Sequence, residues 1–354
     1  MSKTKVAVVF GGMSNEHDVS LVSAASVIKN IPADKYDVVC IGITKKGRWL
    51  FYPGDVEQIA SGEWERHPDC TSAIISPDTA HSGIIKLPGD GTASFQKIDC
   101  VFPVLHGKYG EDGTIQGLFA MAGIPYVGCD TLSSAVCMDK AFTHTVLDYN
   151  GIRTAKWEQI TTSELVNIDE KCAEFERKLG YPMFVKPANS GSSIGISKAH
   201  NRDELAAAIK FAFTHDKKVV VEQEIKGREV ECAVIGNINP SVSMPGEIVP
   251  CNDFYDYDAK YILSQTELKI PAPMSEDEAK LVKATAKAAY MALGCQGLSR
   301  VDSFLTENGD VIINEINTLP GFTSISMYPK LMEASGLSYS DLLDSLITLA
   351  IDRV

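Results

Sequence analysis

Residues 297–322 read GLSRVDSFLTENGDVIINEINTLPGF, two strand-like runs on either side of Asn308-Gly309. An Asn-Gly pair between two such runs is the strongest short-range signal for a β-hairpin, because both residues tolerate the positive φ that a type I′ turn needs. A two-residue turn at this point fixes which residues of the two strands lie opposite each other. A symmetric four-residue loop keeps the same pairing, whereas a loop with an odd number of residues shifts it.

The predicted pairing places Asp302 opposite Glu315 and Arg300 opposite Asn317, with all four side chains on one face of the hairpin. Two carboxylates in directly opposed positions repel each other, and a divalent cation between them removes the conflict. Carboxylate and amide oxygens are hard ligands that suit Mg²⁺ or Mn²⁺, and the arginine beside them could meet an anion bound to the metal. A solvated polar face is the alternative interpretation of the same pattern.

Upstream of the hairpin, the first third of the chain alternates strand and helix signals. This order is typical of an open, mostly parallel sheet of the Rossmann type, which binds ligands at the carboxyl ends of its strands. Gly11-Gly12 and His106-Gly107 both fall at such strand ends. The strands predicted here are Val6–Phe10, Tyr36–Ile43, Cys100–Leu105 and Pro125–Gly128.

The rest of the chain predicts α+β structure. Residues 54–91 are rich in turn-forming residues and predict a surface excursion, and one helix is expected over Ser133–Tyr149 with Gly151 at its C-terminal end. A long helix is expected over Glu276–Leu293. The middle predicts helices near Glu170–Leu179 and Glu204–Phe213 between the strands Lys156–Ile160, Met183–Lys186, Val219–Glu224 and Glu229–Ile235.

Three further segments are candidates for ligand contact. Residues 185–195, VKPANSGSSIG, end a strand with a lysine and continue into a Ser/Gly loop that suits a phosphate, although an ordinary flexible hairpin has the same composition. Residues 221–225 could offer a strand end to a purine, but alone they fit a surface acidic cluster better. Residues 106–113 fit both a ligand loop and a plain βα turn, and His106 alone fits a structural histidine better than a base. Neither a P-loop nor a dinucleotide fingerprint is present.

Composition restricts the classes of function. The chain has 354 residues, which suggests two or three domains, and a formal net charge of −13, which disfavours binding to nucleic acid or an anionic membrane. Its apolar runs are far shorter than the ~20 residues that span a bilayer, and the start resembles a strand rather than a signal peptide. Nine scattered cysteines without a CxxC pair predict reduced thiols and a cytosolic protein.

Taken together and in this order, these segments resemble the ATP-grasp D-alanine–D-alanine ligases. The resemblance covers the chain from Gly11 to Gly336. It implies a fold of class α/β and α+β, with a Rossmann-like N-terminal domain over residues 1–130 and two ATP-grasp subdomains over 131–226 and 227–354. The motifs that carry it are FGGMSNEHDVS (10–20), LHGKYGEDGTIQG (105–117), VGCDTLSSAVCMDK (127–140), VKPANSGSSIGIS (185–197), FYDYDAKY (254–261), SRVD (299–302) and NEINTLPGFTSISMYP (314–329).

The resemblance also implies an activity. ATP, the co-substrate, would phosphorylate the carboxylate of one D-alanine, and the amine of a second would attack the acyl phosphate to give D-alanyl-D-alanine, a peptidoglycan precursor of the bacterial cell wall. The protein would be a cytoplasmic bacterial homodimer that uses two Mg²⁺ or Mn²⁺ ions and binds small molecules rather than nucleic acid or membranes.

Site residues follow from the matching motif positions. The residues implied for ATP are Lys140, Lys186, Ser193, Glu222, Ile225, Glu229 and Lys260. The residues implied for the first D-alanine and the reacting centre are Glu16, His106, Ser192, Tyr261, Arg300 and Gly321. Ser326 and Met327 are implied for the carboxylate of the second D-alanine, and the implied metal ligands are Asp302, Glu315 and Asn317.

The second substrate is the least certain part of this expectation, because related resistance ligases join D-alanine to D-lactate or D-serine. The intact Lys260-Tyr261 pair favours an amine nucleophile, and Met327 stands where D-serine ligases carry a basic residue. D-Alanine is therefore expected, with D-serine as the alternative. A different ATP-grasp carboxylate–amine ligase would share the metal hairpin but lack the Glu16 and Tyr261 anchors. A non-catalytic nucleotide-binding regulator is disfavoured because Asp302, Glu315 and Arg300 are all present.

Overall fold

The computed structural model describes residues 3–249 and 267–353, in which three β-sheets follow one another along the chain. The first sheet uses strands from residues 4–104, the second from 157–223 and the third from 228–317. Each predicted domain therefore contains one sheet, while the predicted boundaries themselves stay a prediction. Within the described ranges, no helix combines the length and the apolar character needed to cross a membrane.

The first sheet has seven strands in the order β6-β5-β4-β3-β2-β1-β7. Only the pairs β1–β2 and β1–β7 are parallel, so the expectation of a mostly parallel sheet is wrong. Its strands are β1 (Thr4–Gly11), β2 (Tyr36–Ile43), β3 (Trp49–Tyr52), β4 (Thr71–Ile75), β5 (Gly83–Leu87), β6 (Ser94–Lys97) and β7 (Cys100–Val104), with helices α1 (His17–Asn30) and α2 (Val56–Ala60).

The expected surface excursion over residues 54–91 is also wrong. Strands β4 and β5 extend the sheet with antiparallel pairs, and a short 3-10 helix at Glu63–Arg66 places Trp64 in the core, where its side chain is fully buried. Turn residues dominate this segment because its strands are short and closely connected. The predicted strand Pro125–Gly128 reduces to a single parallel bridge between Val101 and Tyr126.

The helix expected over Ser133–Tyr149 is two helices that meet at Asp139. The Asp139 carboxylate accepts hydrogen bonds from the backbone N–H groups of Ala141 and Phe142, so it ends one helix and caps the next. Gly151 follows the second helix with a φ of +69°, as predicted. The helices are α3 (Thr114–Met121), α4 (Thr131–Met138) and α5 (Lys140–Tyr149).

The second sheet is antiparallel with the order β10-β9-β11-β8, and its predicted strands are confirmed to within one residue at each end. Its apolar side is covered by two helices that pack against Val185, Val219 and Val221. The elements are β8 (Trp157–Thr161), α6 (Ile168–Leu179), β9 (Met183–Pro187), β10 (Ser197–Ala199), α7 (Arg202–Ala212) and β11 (Lys218–Gln223).

The third sheet contains the predicted hairpin and has the order β15-β14-β12-β16-β17, with β13 also paired to β12. The long predicted helix lies against this sheet. The elements are β12 (Arg228–Ile235), β13 (Ser241–Val242), β14 (Gly246–Val249), β15 (Glu267–Lys269), α8 (Glu276–Ala292), β16 (Leu298–Leu305) and β17 (Val311–Asn317).

The hairpin between β16 and β17 confirms the predicted residue pairs, but its loop and strand geometry differ from the prediction. The backbone N–H of Thr306 donates to Asp310 O at 2.9 Å, so the loop has three residues, and only Gly309 has a positive φ. The expected two-residue type I′ turn is therefore wrong. A β-bulge at Asn314 compensates for the odd loop, since Ser303 pairs with Ile313 and Asp302 with Glu315.

Two C-terminal helices, α9 (Met327–Ala334) and α10 (Tyr339–Asp352), return the chain to the first sheet. Their apolar side chains belong to the same buried cluster as side chains of β1 and β7, among them Leu346, Tyr328, Val8 and Phe102. This cluster, termed the closing core, joins the first and last parts of the described chain. Eight cysteines lie in the described ranges and all are free, as predicted.

Candidate active site

A cavity of about 400 Å³ lies between the second and third sheets. Its walls include apolar side chains such as Phe184, Ile248 and Phe304. A cavity that combines apolar walls with a few convergent polar groups is suited to a small organic ligand. It brings together seven of the predicted site residues, Lys140, Lys186, Ser193, Glu222, Ile225, Glu229 and Glu315.

Lys186 and Glu222 form a buried ion pair in the wall of this cavity. Lys186 Nζ donates to Glu222 Oε2 at 2.6 Å and to Asn314 Oδ1 at 3.2 Å, and the other carboxylate oxygen of Glu222 lies 3.0 Å from His144 Nε2. Burial works to raise the pKa of Glu222, but the positive Lys186 and the His144 contact outweigh it and lower the pKa to about 2. Glu222 is therefore ionised at neutral pH.

The Ser/Gly loop closes one end of the cavity. Lys140 Nζ donates to the carbonyl oxygen of Ser190 at 2.7 Å, and both residues also line a smaller cavity of about 30 Å³. Ser192 and Ser193 have φ values of +50° and +59°, a conformation that non-glycine residues rarely adopt. Such backbone strain concentrates at ligand loops and switch segments.

Glu16 connects this loop to the first sheet. It lies just before α1 with 8% of its surface exposed, and its carboxylate accepts a hydrogen bond from the Ser192 hydroxyl. Gly107 approaches from the other side: a Cβ at this position would come within 2.5 Å of Glu16 Oε2. The structure thus brings together three segments that are far apart in sequence, as the predicted roles of Glu16 and Ser192 require.

His106 is buried beside the same junction. Its Nε2 lies 3.2 Å from the Ser23 hydroxyl, its Nδ1 lies 3.2 Å from the carbonyl oxygen of Leu319, and Glu111 is 3.7 Å away. Burial works to lower the pKa of His106, but Glu111, Glu16 and the backbone of Leu319 together outweigh it, so the pKa lies above its usual range. Both ring nitrogens contact protein atoms, which agrees with the structural interpretation of His106.

Arg300 and Asp302 form a largely buried bidentate ion pair on the hairpin. The guanidinium donates to both oxygens of Asp302, at 2.7 and 2.6 Å, and its Nε lies 3.1 Å from Glu231 Oε2 on the neighbouring strand. Burial works to lower the pKa of Arg300, and the surrounding carboxylates raise it well above its usual range. Asn317 Nδ2 donates to Asp302 at 3.0 Å, which confirms that these side chains share one face.

The hairpin fits a divalent cation only in combination with a ligand. Asp302 and Glu315 are directly opposed and Asn317 adds an amide, the hard oxygen donors that Mg²⁺ prefers. Within the described ranges, no three Asp, Glu, His or Cys side chains are grouped so as to hold a metal by themselves. Mg²⁺ commonly takes one or two carboxylates and completes its shell with phosphates and water, so this donor set fits an ion delivered with a phosphate ligand.

The remaining predicted residues lie near the start of α9. The Ser326 hydroxyl accepts from Thr323 N at 3.0 Å, and a Cβ on Gly321 would come within 2.8 Å of it. The Met327 side chain is buried in the closing core. Only the backbone of Met327 is therefore placed to meet a ligand. Lys260 and Tyr261 lie outside the described residues.

Three polar residues at the site were missed by the sequence analysis. Glu231 lies two residues after Glu229 on the same strand face, so the period of two could have found it. His144 is one helical turn beyond Lys140, a spacing that also places both on one side of α5. Asn314 joins the site only because of the bulge, and no pattern in the sequence signals that bulge.

Family models match both parts of the chain. The model described as D-ala D-ala ligase N-terminus matches residues 5–129, and the one described as D-ala D-ala ligase C-terminus matches residues 146–348. The chain belongs to the D-alanine–D-alanine ligase family. A family member from Acetivibrio thermocellus, named D-alanine--D-alanine ligase, is 50% identical over 99% of this chain and 96% of its own length. One of the same name from Thermoanaerobacter pseudethanolicus is 50% identical over 99% and 98%.

Solved structures of family members share the whole fold. The VanG D-Ala:D-Ser ligase from Enterococcus faecalis superposes with a TM-score of 0.91 at 44% identity, over 99% of this chain and 100% of its own. The D-alanine-D-alanine ligase from Coxiella burnetii superposes with a TM-score of 0.88 at 36% identity, over 100% and 95%. The predicted three-part ATP-grasp architecture is confirmed by these similarities.

Proposed function

We propose that the protein joins two D-alanines into D-alanyl-D-alanine at the expense of ATP, for peptidoglycan synthesis. The observation that carries the proposal is the single cavity lined by seven residues chosen from sequence motifs alone, bordered by the opposed carboxylates of the hairpin. Curated family members that are 50% identical over almost the full chain support the same activity.

The reaction needs ATP because a carboxylate is a poor electrophile. A carboxylate oxygen of the first D-alanine attacks the γ-phosphorus, the bond to ADP breaks, and an acyl phosphate forms. The neutral amine of the second D-alanine then attacks the acyl carbon, the amine loses a proton, and phosphate leaves as the peptide bond forms. The loop containing Ser192 and Ser193 is placed to exclude water, which would otherwise hydrolyse the acyl phosphate.

In this proposal, the large cavity holds ATP. Lys140 and Lys186 contact phosphates, Glu222 and the backbone of Ile225 face the adenine, and Glu229 faces the ribose. Lysines at a cavity wall supply point charges for phosphate oxygens. Lys260 would reach the γ-phosphate, and it lies outside the described residues.

The amino acids bind at the junction of the three segments. The buried carboxylate of Glu16 suits the ammonium of the first D-alanine, supported by Ser192, Tyr261 and the neighbouring His106. Arg300 and the backbone of Gly321 supply donors for the oxyanion of the tetrahedral species, an arrangement that stabilises developing charge strongly. The Ser326 hydroxyl and the backbone of Met327, at the N-terminus of α9, suit the carboxylate of the second D-alanine.

Asp302, Glu315 and Asn317 would hold two Mg²⁺ or Mn²⁺ ions together with the ATP phosphates. Such ions neutralise charge on the phosphoryl group during transfer. The guanidinium of Arg300 pairs with Asp302 and so holds this carboxylate in place on the hairpin.

D-Serine as the second substrate is the competing proposal, favoured by the TM-score of 0.91 to the VanG D-Ala:D-Ser ligase. The buried, apolar Met327 offers no polar partner for a serine hydroxyl, which supports D-alanine. We also propose a cytoplasmic location in a bacterial host and a homodimeric assembly, because the family resemblance implies both.

The test is phosphate release from Mg²⁺-ATP with D-alanine alone and then with D-serine or D-lactate added, with products identified by mass. D-Alanyl-D-alanine should be the main product in both cases. The Glu315→Gln variant should lose at least about 10³-fold in turnover, because the metal site loses the negative charge of a carboxylate, while its thermal unfolding stays close to wild type. A preferred mixed product would show that the protein is a D-alanine–D-serine or D-alanine–D-lactate ligase. The absence of amino-acid-dependent phosphate release would refute the proposed ligase activity.

A further inference from the structure

His144 stands one layer behind the wall of the large cavity. Its imidazole is only 2% exposed, and its Nε2 lies 3.0 Å from Glu222 Oε1. Glu222 lines the cavity and is itself 4% exposed. The histidine therefore meets the proposed nucleotide site through a carboxylate rather than directly.

The contacts of His144 favour one tautomer. Within the described part of the chain, its buried Nδ1 has no hydrogen-bond partner. A proton on Nε2 satisfies Glu222 and leaves Nδ1 as a bare acceptor, whereas a proton on Nδ1 would bury an unpaired donor, which is unfavourable. A proton on Nε2 thus matches the contacts of the ring.

The orientation of the imidazole ring is fixed by stacking. The ring of Trp157 lies against it with centroids 5.2 Å apart and an interplanar angle of 22°. Trp157 Nε1 in turn donates to Asp148 Oδ2 at 2.9 Å, which holds the indole in place. His144 is therefore a rigid donor with a single direction.

Glu222 contacts both His144 and Lys186, so a fixed carboxylate also fixes the position of the Lys186 ammonium. The carboxylate receives His144 on one oxygen and the Lys186 ammonium on the other, at 2.6 Å. Without the histidine donor, a buried carboxylate oxygen loses its partner and the carboxylate is free to rotate. The ammonium would then lose its fixed position in the cavity wall, where Asn314 Oδ1, at 3.2 Å, is its other hydrogen-bond partner among the described residues.

We propose that His144 is a positioning residue of the nucleotide site: its Nε2–H holds the Glu222 carboxylate, and thereby the Lys186 ammonium, in the geometry that binds ATP. The proposal rests on the function proposed above, because it concerns how ATP is held. It assigns His144 no contact with the substrate and no proton transfer.

The kinetic test compares His144→Leu, which removes the donor, with His144→Gln, whose side-chain amide can place a donor near the position of Nε2. The Leu variant should raise KM for ATP about tenfold, because a hydrogen bond to a charged group is lost, with kcat and KM for D-alanine changed less than about threefold. The Gln variant should recover most of the affinity for ATP. The matched control is His200→Gln, which removes an exposed His–Glu contact of 2.9 Å at a residue that does not line the cavity. Equal KM values for ATP in the Leu and Gln variants would refute positioning by hydrogen bonding.

A second measurement does not depend on activity. Long-range ¹H–¹⁵N NMR spectra of the wild-type protein should show a proton on Nε2 of His144. A ring protonated on Nδ1 alone would overturn the proposal even in an active enzyme. If the protein proved inactive with D-alanine, the spectrum would still decide whether His144 donates to Glu222, so the two failures are distinguishable.

Discussion

Glu222 illustrates how a buried charge is maintained by two partners. Lys186 and His144 are its titratable neighbours, on the adjacent strand β9 and on helix α5. An unpaired carboxylate at 4% exposure would take up a proton rather than stay charged. Here the partners lower the pKa to about 2, so the ionised form belongs to the folded state.

This lowered pKa predicts a pH dependence of stability. The folded-state pKa of about 2 lies below the usual unfolded value of about 4.3, so Glu222 stabilises the fold above the unfolded value and loses this contribution as pH falls toward 2. Urea unfolding at pH 7, 5, 4 and 3 should show the wild type more stable than Glu222→Gln, with the difference shrinking below about pH 5. A difference that stays constant over this range would show that the Glu222 charge does not contribute.

At the scale of the element, the bulge in β17 determines which side chains reach the site. Ile313 and Ile316 both face the core, which leaves Asn314 and Glu315 together on the opposite side. A residue outside the hairpin holds β17 beside the bulge, because Ile313 N donates to the carbonyl oxygen of Arg153 at 2.9 Å. Bulges recur beside active sites because they change the direction of a side chain without ending the strand.

Two single-residue deletions in this hairpin should differ in their effect on activity. Deleting Glu307 leaves Asn308-Gly309 as a two-residue turn with the pairs of the ladder intact, so activity should stay within about twofold. Deleting Asn314 removes the bulge and the amide that Lys186 contacts, so turnover should fall at least about tenfold. Phosphate-release assays with circular dichroism as a check of folding make the comparison. Equal activity of the two variants would mean that the bulge has no part in the site.

The sequence predicted elements well where one local signal dominates. Three of the four strands of the second sheet are predicted to within one residue because their apolar periods are clear, while the short β10 is not predicted. The Asp302–Glu315 pair is predicted although the turn is not. The pairing survived because the odd loop and the bulge shift the register in opposite directions. That compensation depends on contacts with Arg153, which lies far away in sequence.

Features decided by tertiary contacts were missed. The apolar periodicity runs through Asp139 without a gap, and the break appears only where the Asp139 carboxylate caps α5 and meets Lys218. Antiparallel additions to the first sheet were missed because their strands are short and rich in turn residues. The only local signal for His144 is its spacing from Lys140, and its role depends on Glu222 in another element.

On the scale of the whole molecule, the closing core makes the first sheet depend on the last helix. Leu342, Leu343 and Leu346 of α10 pack in one cluster with strands β1 and β7. Polar contacts join the same two parts of the chain: Asp344 accepts from Tyr36 at 2.7 Å, and Arg353 donates to the carbonyl oxygen of Tyr126 at 2.9 Å. The two ends of the described chain therefore stabilise each other.

Hydrogen exchange can test this dependence with two matched leucines. Leu346 and Leu205 are both fully buried, the first in the closing core and the second in the core of the second sheet. Each Leu→Ala change should cost about 2–5 kcal/mol. Leu346→Ala should reduce exchange protection of β1 and β7 amides, whereas Leu205→Ala should leave their protection high. Loss of β1 protection in Leu205→Ala but not in Leu346→Ala would contradict the assignment of the closing core.

The closing core also has a consequence for biosynthesis. A ribosome releases the strands of the first sheet early, but α10, which covers their apolar side chains, emerges only after the second and third sheets. Until then the nascent N-terminal part carries an uncovered hydrophobic surface, a state that favours aggregation and chaperone binding. A premature stop codon just before α10 should consequently be as damaging to solubility as an earlier one.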